Sequence, residues 1–351
     1  MIVDCEKPSR LFGRKMFAKF INLYLKVHGR LFGTEQRTSL EAIIWAYRLF
    51  LDREPENPLA VADELKRLAN TVDIRNEFLN SDEFKKKNAC FRFLSLSGNE
   101  PPMSIERVSN YQEIFTNTQK AWESLGEKEP YWSVVTSEQF KSVNIKETKN
   151  EFYHSGFNDV TTFFKTLERN GIDHASFRTC LEYGCGLGRV TFWLAEKFET
   201  VTGYDISRSH LQLARRYLDE SGIQNVSLHH IGKPEEIRDF PKVDAVYSVM
   251  VLQHNPPPVI RLVIQELIRA LNPGGIAFFQ VPTYRLQYRF SLEEYLESES
   301  KTDEMEMHVL PQNEIFEIVD KEQGKLVEIL EDGYTGSTYG ERSNIFIVQK
   351  K

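Results

Sequence analysis

The stretch Leu181-Glu182-Tyr183-Gly184-Cys185-Gly186-Leu187-Gly188-Arg189 decides how the chain folds. The short apolar run Cys180 to Tyr183 reads as a strand, the alternating glycines as a loop, and Arg189 to Phe198 as the helix that follows. Glycines at a strand-to-helix turn let the backbone come close to a ligand, and open sheets take ligands at the carboxyl ends of their strands. A cofactor is therefore expected on Gly184, Gly186 and Gly188, with Glu182 at the strand tip; a tight turn that holds nothing is the plainer alternative.

Downstream of this loop, short β-rich runs alternate with amphipathic helices, the signature of a parallel sheet covered on both faces. The expected strands are 180–183, 201–206, 226–231, 243–249 and 276–281, followed by 326–331 and 344–349. Helices are expected near 189–198, 207–220 and 259–271, and Asn272-Pro273-Gly274-Gly275 predicts a tight turn into the fifth strand. Only the glycine-rich loop 333–340 separates the last two strands. That is too short for the crossover a parallel pair needs, so they are expected to pair antiparallel. The fold class predicted is α/β, a seven-stranded, mostly parallel sheet with one antiparallel strand and helices on both faces, preceded by a small all-α domain.

Upstream, the apolar positions Leu40, Ile43, Ile44, Tyr47 and Leu51, then Val61, Leu65, Leu68 and Val72, follow helical spacing. Pro55 and Pro58 interrupt them, and Ser81 before Asp82-Glu83-Phe84 reads as an N-cap. Residues 38–95 thus form a helical module and 96–130 a connector, turn-rich at its ends and helical in its middle, before a domain over 131–351. Residues 1–37 read as a basic amphipathic helix, in which Lys7, Arg10, Arg14, Lys15, Lys19, Lys26, Arg30 and Arg37 interleave with Leu11, Phe12, Phe17 and Leu23. Such a helix suits an anionic membrane surface or a protein partner, or simply packs on a neighbouring domain.

The chain of 351 residues carries a formal net charge of -7, which argues against a general nucleic-acid binder. No apolar run is long enough to span a bilayer and no secretory leader is evident. With Cys5, Cys90, Cys180 and Cys185 sparse and unpaired in motif, a cytoplasmic location is expected, at most peripheral to a membrane. No His/Cys cluster has zinc spacing, so no metal is expected.

The choice of cofactor turns on spacing. A dinucleotide fingerprint is Gly-x-Gly-x-x-Gly, whereas here Arg189 occupies the third-glycine position and the glycine falls one residue earlier, at Gly188. The pattern Glu182-x-Gly184-x-Gly186-x-Gly188 instead resembles the first motif of class I S-adenosylmethionine (SAM)-dependent methyltransferases, which implies that the loop meets the methionine and ribose portion of SAM. Asp205, ending Gly203-Tyr204-Asp205-Ile206, puts a carboxylate at the second strand tip, where it can accept hydrogen bonds from a ribose diol. Ile206 follows it in the cofactor-binding set. The acidic residue that many such enzymes carry after the third strand is missing, since Ile231-Gly232-Lys233-Pro234 stands there.

On the same template the segment Val249-Met250-Val251-Leu252-Gln253-His254-Asn255 lies at the transferable methyl, which makes His254 the candidate general base. The phrases Trp132-Ser133-Val134, Phe152-Tyr153-His154, Gln280-Val281-Pro282, Met305-Glu306-Met307-His308 and Ser343-Asn344-Ile345-Phe346 resemble a bacterial methyltransferase subgroup found among sugar and surface-polysaccharide genes. Tyr47-Arg48-Leu49-Phe50 and Phe78-Leu79-Asn80-Ser81-Asp82 resemble an uncharacterised helical domain often fused to glycan-synthesis enzymes. The resemblance implies O-methylation of a sugar hydroxyl or another small-molecule or glycan acceptor, with Tyr153 and Trp132 near the cofactor and His308 in the acceptor pocket. The alternatives are a NAD-dependent oxidoreductase and a non-catalytic SAM-binding scaffold.

Overall fold

The computed structural model describes residues 38–87, 103–108, 111–297, 305–335 and 340–351. The basic segment 1–37, with Cys5, and the residue Cys90 lie outside the described residues. The chain divides into two units, Met1–Phe93 and Leu94–Lys351. No described helix is long and apolar enough to cross a membrane.

The first unit contains α1 (Leu40–Leu51), α2 (Pro58–Arg67), α3 (Thr71–Asn80) and α4 (Asp82–Lys87). Polar side chains set their starts: Ser39 accepts from the Ala42 N–H, Asn57 from Ala60, and Asn70 from Val72 and Asp73. Each such cap stabilises its helix by about 1 kcal/mol. Ser81 takes the Phe84 N–H in the same way, as its position predicts. Ile43, Ala46, Tyr47 and Leu51 form one buried stripe of α1 and pack on Val61, Ile74 and Phe78. The Tyr47 and Phe78 rings meet edge to face at 4.9 Å, and Arg53 forks onto both carboxylate oxygens of Glu83 at 2.7 Å.

The second unit runs β1 (Ser104–Ile105), α5 (Gln112–Lys128), α6 (Pro130–Val134), α7 (Ile145–Arg169), β2 (Thr179–Tyr183), α8 (Thr191–Ala195), β3 (Thr200–Asp205), α9 (Arg208–Glu220) and β4 (Val226–His230). It continues with β5 (Val243–Ser248), α10 (Pro257–Ala270), β6 (Leu271–Arg285), β7 (Arg289–Phe290), α11 (Leu292–Glu297), α12 (Gln312–Lys321), β8 (Gly324–Glu331) and β9 (Glu341–Lys350). The main sheet has seven strands in the order β4-β3-β2-β5-β6-β9-β8. The first five are mutually parallel, and β9 runs antiparallel to both β6 and β8. This is the class I methyltransferase layout that the resemblance implies, with the final pair antiparallel as its short loop requires.

Side chains alternate across the sheet, as a strand period of two demands. Leu181, Val246, Ala277, Phe279 and Phe346 face a core shared with α10 and α12, while Cys180, Ala245, Tyr247, Phe278 and Ile347 face one shared with Val160, Phe163 and Leu167 of α7. The central strands β2, β5, β6 and β9 are thus buried on both faces and read as near-continuous apolar runs, while β4 and β8 at the sheet edges are only partly buried.

Two expectations are corrected. The helical middle of the 96–130 connector is α5, an integral part of the second unit, with Ile114 and Phe115 fully buried against the sheet. Gly126, which reads as a turn signal, instead permits close helix packing: a Cβ there would lie 2.6 Å from Ser207 Oγ at the start of α9. The turn expected at 272–275 is absorbed into β6 as a bulge, with Leu271 opposite Val243 and Ile276 opposite Ala245. Beyond it β6 continues past Val281 to Arg285 because the long strand β9 supplies partners.

Candidate functional site

The carboxyl ends of β2, β3 and β5 open onto a solvent-connected cavity. Its floor is Glu182 to Gly186, its sides are Asp205 and Ile206 after β3 and Val249 to Val251 after β5, and Trp122 and Val134 complete the wall. Gly184 is held at φ +77°, where a Cβ would sit 2.3 Å from a Val251 methyl, so the loop after β5 presses directly on the glycine turn. Only glycine fits there without strain.

Asp205 is buried and oriented by two backbone donors. The Gly186 N–H gives to Oδ2 at 2.8 Å and the Ser207 N–H to Oδ1 at 2.8 Å. Each oxygen keeps a second lone pair, so the carboxylate remains able to accept from a diol. Glu182 is also buried, and Thr191 Oγ1 donates to its Oε2 at 2.5 Å. Burial pushes its carboxyl up to about 8, against the opposing pull of the Thr191 bond and of the nearby Arg189 charge. Arg189 lines the cavity as well, its guanidinium held by Asp159 at 2.5 Å and Ser155 at 3.0 Å.

The cavity therefore gathers Glu182, Gly184, Gly186, Asp205 and Ile206 from the residues that the sequence singles out. Gly188 stands apart, its vacant Cβ position turned toward Ala214 of α9, so it serves helix packing. Tyr153 does not line the cavity: it is buried, stacked on Tyr217 with centroids 3.3 Å apart, beside Phe140, Phe152 and Leu187. Trp132 does not line it either; the Lys141 ammonium lies 6.0 Å from its ring. His308 Nδ1 lies 2.8 Å from the Tyr288 hydroxyl, its Nε2 lies 3.1 Å from Glu306 Oε2, and its backbone N–H gives to the Gln253 carbonyl. It, too, is absent from the wall.

His254 also departs from expectation. It is buried, its ring packed against that of Trp122 with centroids 5.0 Å apart and planes at 61°, and does not line the cavity. Its Nδ1 lies 2.9 Å from the Glu306 carbonyl and its Nε2 lies 3.1 Å from Gln253 Nε2. Burial pushes the imidazole down to about 4, opposed by the Glu306 carbonyl and assisted by His308.

Sequence reasoning misses several wall residues. Trp122 belongs to the supposed connector, and Ser133 and His210 meet each other across α6 and α9 at 3.0 Å. Met250 sits at φ +61°, unusual for a side chain other than glycine, and Asn255 is fully enclosed beside it with Nδ2 given to the Val251 carbonyl at 3.0 Å. Trp122 and His210 carry no local motif; the tertiary fold assembles them.

Residues 180–275 match the family model described as a methyltransferase domain. The ubiquinone biosynthesis O-methyltransferase of Paracidovorax citrulli is 30% identical over 111 residues, 31% of this chain and 46% of that protein. Its counterpart from Klebsiella pneumoniae subsp. pneumoniae is 33% identical over 99 residues, 28% of this chain and 40% of that protein. The chain thus spans less than half the length of these relatives. Among solved structures, magnesium protoporphyrin IX methyltransferase from Synechocystis PCC 6803 with bound SAH aligns at TM-score 0.46 and 16% identity, covering 68% of this chain and all of that one.

Proposed function

We propose that the chain is a SAM-dependent O-methyltransferase. The observation that carries this reading is the pairing of the glycine turn with two buried carboxylates, Glu182 and Asp205, on one cavity wall. SAM is cationic at its sulfonium and ammonium groups, and acidic side chains favour cations in a poorly solvated cavity. The match of residues 180–275 to a methyltransferase domain supports the same choice.

When bound, SAM supplies a methyl group already activated by the sulfonium. The chain has to orient, enclose and exclude water, and alignment of this kind accounts for much of the rate in such transfers. In this reading Asp205 accepts from the ribose hydroxyls, the Gly184 to Gly186 backbone allows close approach, and the apolar Val134, Val249 and Val251 keep water out, a division of roles supported by their place on the cavity wall.

The acceptor favoured is a hydroxyl of a sugar or a related small molecule. The O-methyltransferase names of the relatives support an oxygen acceptor, and the sequence phrases shared with polysaccharide-linked enzymes support a sugar. Calorimetric titration with SAM, S-adenosylhomocysteine (SAH) and NADH tests the cofactor: tight NADH binding without SAM or SAH binding refutes the proposal. Transfer of label from methyl-labelled SAM into sugar and glycan extracts tests the acceptor, and label confined to protein or nucleic acid refutes the sugar assignment.

A further inference from the structure

We infer that His254 is a positioning residue, the terminus of a neutral relay Gln280–Gln253–His254 that holds Met250 in its left-handed backbone conformation on the cavity wall. The inference rests on the methyltransferase reading for its purpose, but its geometry stands alone.

The relay begins at a group whose role is fixed. The Met250 backbone N–H can only donate, and it gives to Gln280 Oε1 at 3.0 Å. The Gln280 amide nitrogen must then face the other way, where it donates to Gln253 Oε1 at 3.0 Å and Ser343 Oγ at 2.7 Å. Ser343 passes its own proton to Asp332 Oδ2 at 3.0 Å. With its oxygen occupied, Gln253 turns its NH2 to His254 Nε2, which must accept. The proton of the neutral ring therefore sits on Nδ1 and is given to the Glu306 carbonyl.

Each link is buried, Gln280 and Ser343 completely. A second proton on Nε2 would point at the Gln253 NH2, donor against donor. The nearby rings offer no compensation: Trp122 packs against the imidazole with ring planes at 61°, and His308 is a second imidazole that opposes its charging. The lone pair a general base needs is thus committed, and the buried ring is not among the residues that line the cavity.

What the relay secures is the backbone at Met250. A non-glycine residue at positive φ persists only where its surroundings over-determine it. Here Gln280 reaches across from β6 to hold the N–H while the Met250 side chain faces the cavity. Releasing that bond lets the 249–255 wall relax away from Gly184, which Val251 presses upon.

Two substitutions at Gln280 separate this role from a base or a passive filler, with SAH as the probe and nitrogen-15 NMR of the His254 ring as the spectroscopic readout. In the unaltered protein the ring is expected as the Nδ1–H tautomer, uncharged at pH 6. Gln280→Leu frees the Met250 N–H and is expected to weaken SAH binding by about tenfold or more. Gln280→Glu still accepts from Met250, so SAH affinity should stay within about threefold. Its second oxygen now demands a donor from Gln253, which flips its amide and presents Oε1 to His254. His254 is then expected to become doubly protonated at pH 6. Should Gln280→Leu fail to fold, Gln280→Glu alone carries the test. A wild-type ring that carries its proton on Nε2 or is charged at pH 6 overturns the inference, as does a Gln280→Glu protein whose ring is unchanged. Absence of SAH binding in the unaltered protein would instead overturn the methyltransferase reading and leave the NMR outcome to decide the relay.

Discussion

Glu182 offers the sharpest measurable consequence of the cavity's chemistry. With its carboxyl pushed up to about 8, it is about nine-tenths protonated at pH 7 before any ligand arrives. A cationic ligand seated on the adjoining glycine turn favours the ionised form, and a charge within a few ångströms lowers a carboxyl by about 1 to 3 units. A drop of two units or more takes Glu182 to about 6 or below and releases about 0.8 of a proton per SAM bound at pH 7. Calorimetry in buffers of contrasting ionisation enthalpy reads this number as the slope of apparent enthalpy. The slope should shrink toward zero above pH 9, where Glu182 is already ionised, and vanish in Glu182→Gln. No proton release at pH 7, or release that survives Glu182→Gln, refutes the assignment of a neutral Glu182. The same shift acts on stability: Glu182 is protonated in the folded chain up to about 8 but ionises near 4.5 when unfolded. The ligand-free fold should therefore lose stability as pH rises from 4.5 through 8, by on the order of 5 kcal/mol, an effect absent in Glu182→Gln.

His254 acts at the opposite end of the scale. Its folded ring resists protonation down to about 4 against 6.5 unfolded, so its contribution is intact above 6.5 and lost as pH falls toward 4. The loss is about 3 kcal/mol, and urea unfolding between pH 4 and 7 should show it flattened in His254→Gln. Asp205→Ala removes the charged acceptor and the partner of Gly186, and SAH affinity by calorimetry should fall about ten- to hundredfold. Gly184→Ala places a methyl against Val251 at positive φ, and should cost the fold about 1–3 kcal/mol in backbone strain alone. Adding Val251→Ala should restore part of that loss in thermal melts by removing the collision.

Much of this architecture is legible in the chain because its signals are local. A strand buried on both faces is a continuous apolar run, so Leu181 to Tyr183 and Val243 to Ser248 announce themselves. The glycine turn and Asp205 are adjacent to strand ends and mark the cavity they line. The side of the cavity formed by Trp122, Ser133 and His210 is illegible for the converse reason: it is built by close approach of α5 and α6 to α9, and Gly126, which permits that approach, looks like a turn. His254 misleads because position in a motif fixes where a backbone passes, while the direction of its ring depends on Gln253 and on Glu306, fifty-two residues downstream. Whether an imidazole can take a proton is decided by partners that no local pattern reveals.

The place of β9 between β6 and β8 has a consequence for how the chain reaches this structure. In the main sheet β8 is hydrogen-bonded to β9 alone, and β6 presents its outer edge until β9 arrives. Because β9 occupies residues 341–350, a ribosome must release almost the whole described chain before the sheet can close. Until then an apolar strand edge stands open beside the half-built cavity, the kind of edge that recruits stray strands from other chains. Ser343, which anchors Gln280, arrives on that same strand. Closing the sheet and locking the Met250 wall are thus one late event, and a folding intermediate that lacks β9 would hold the glycine turn without the wall that completes its cavity.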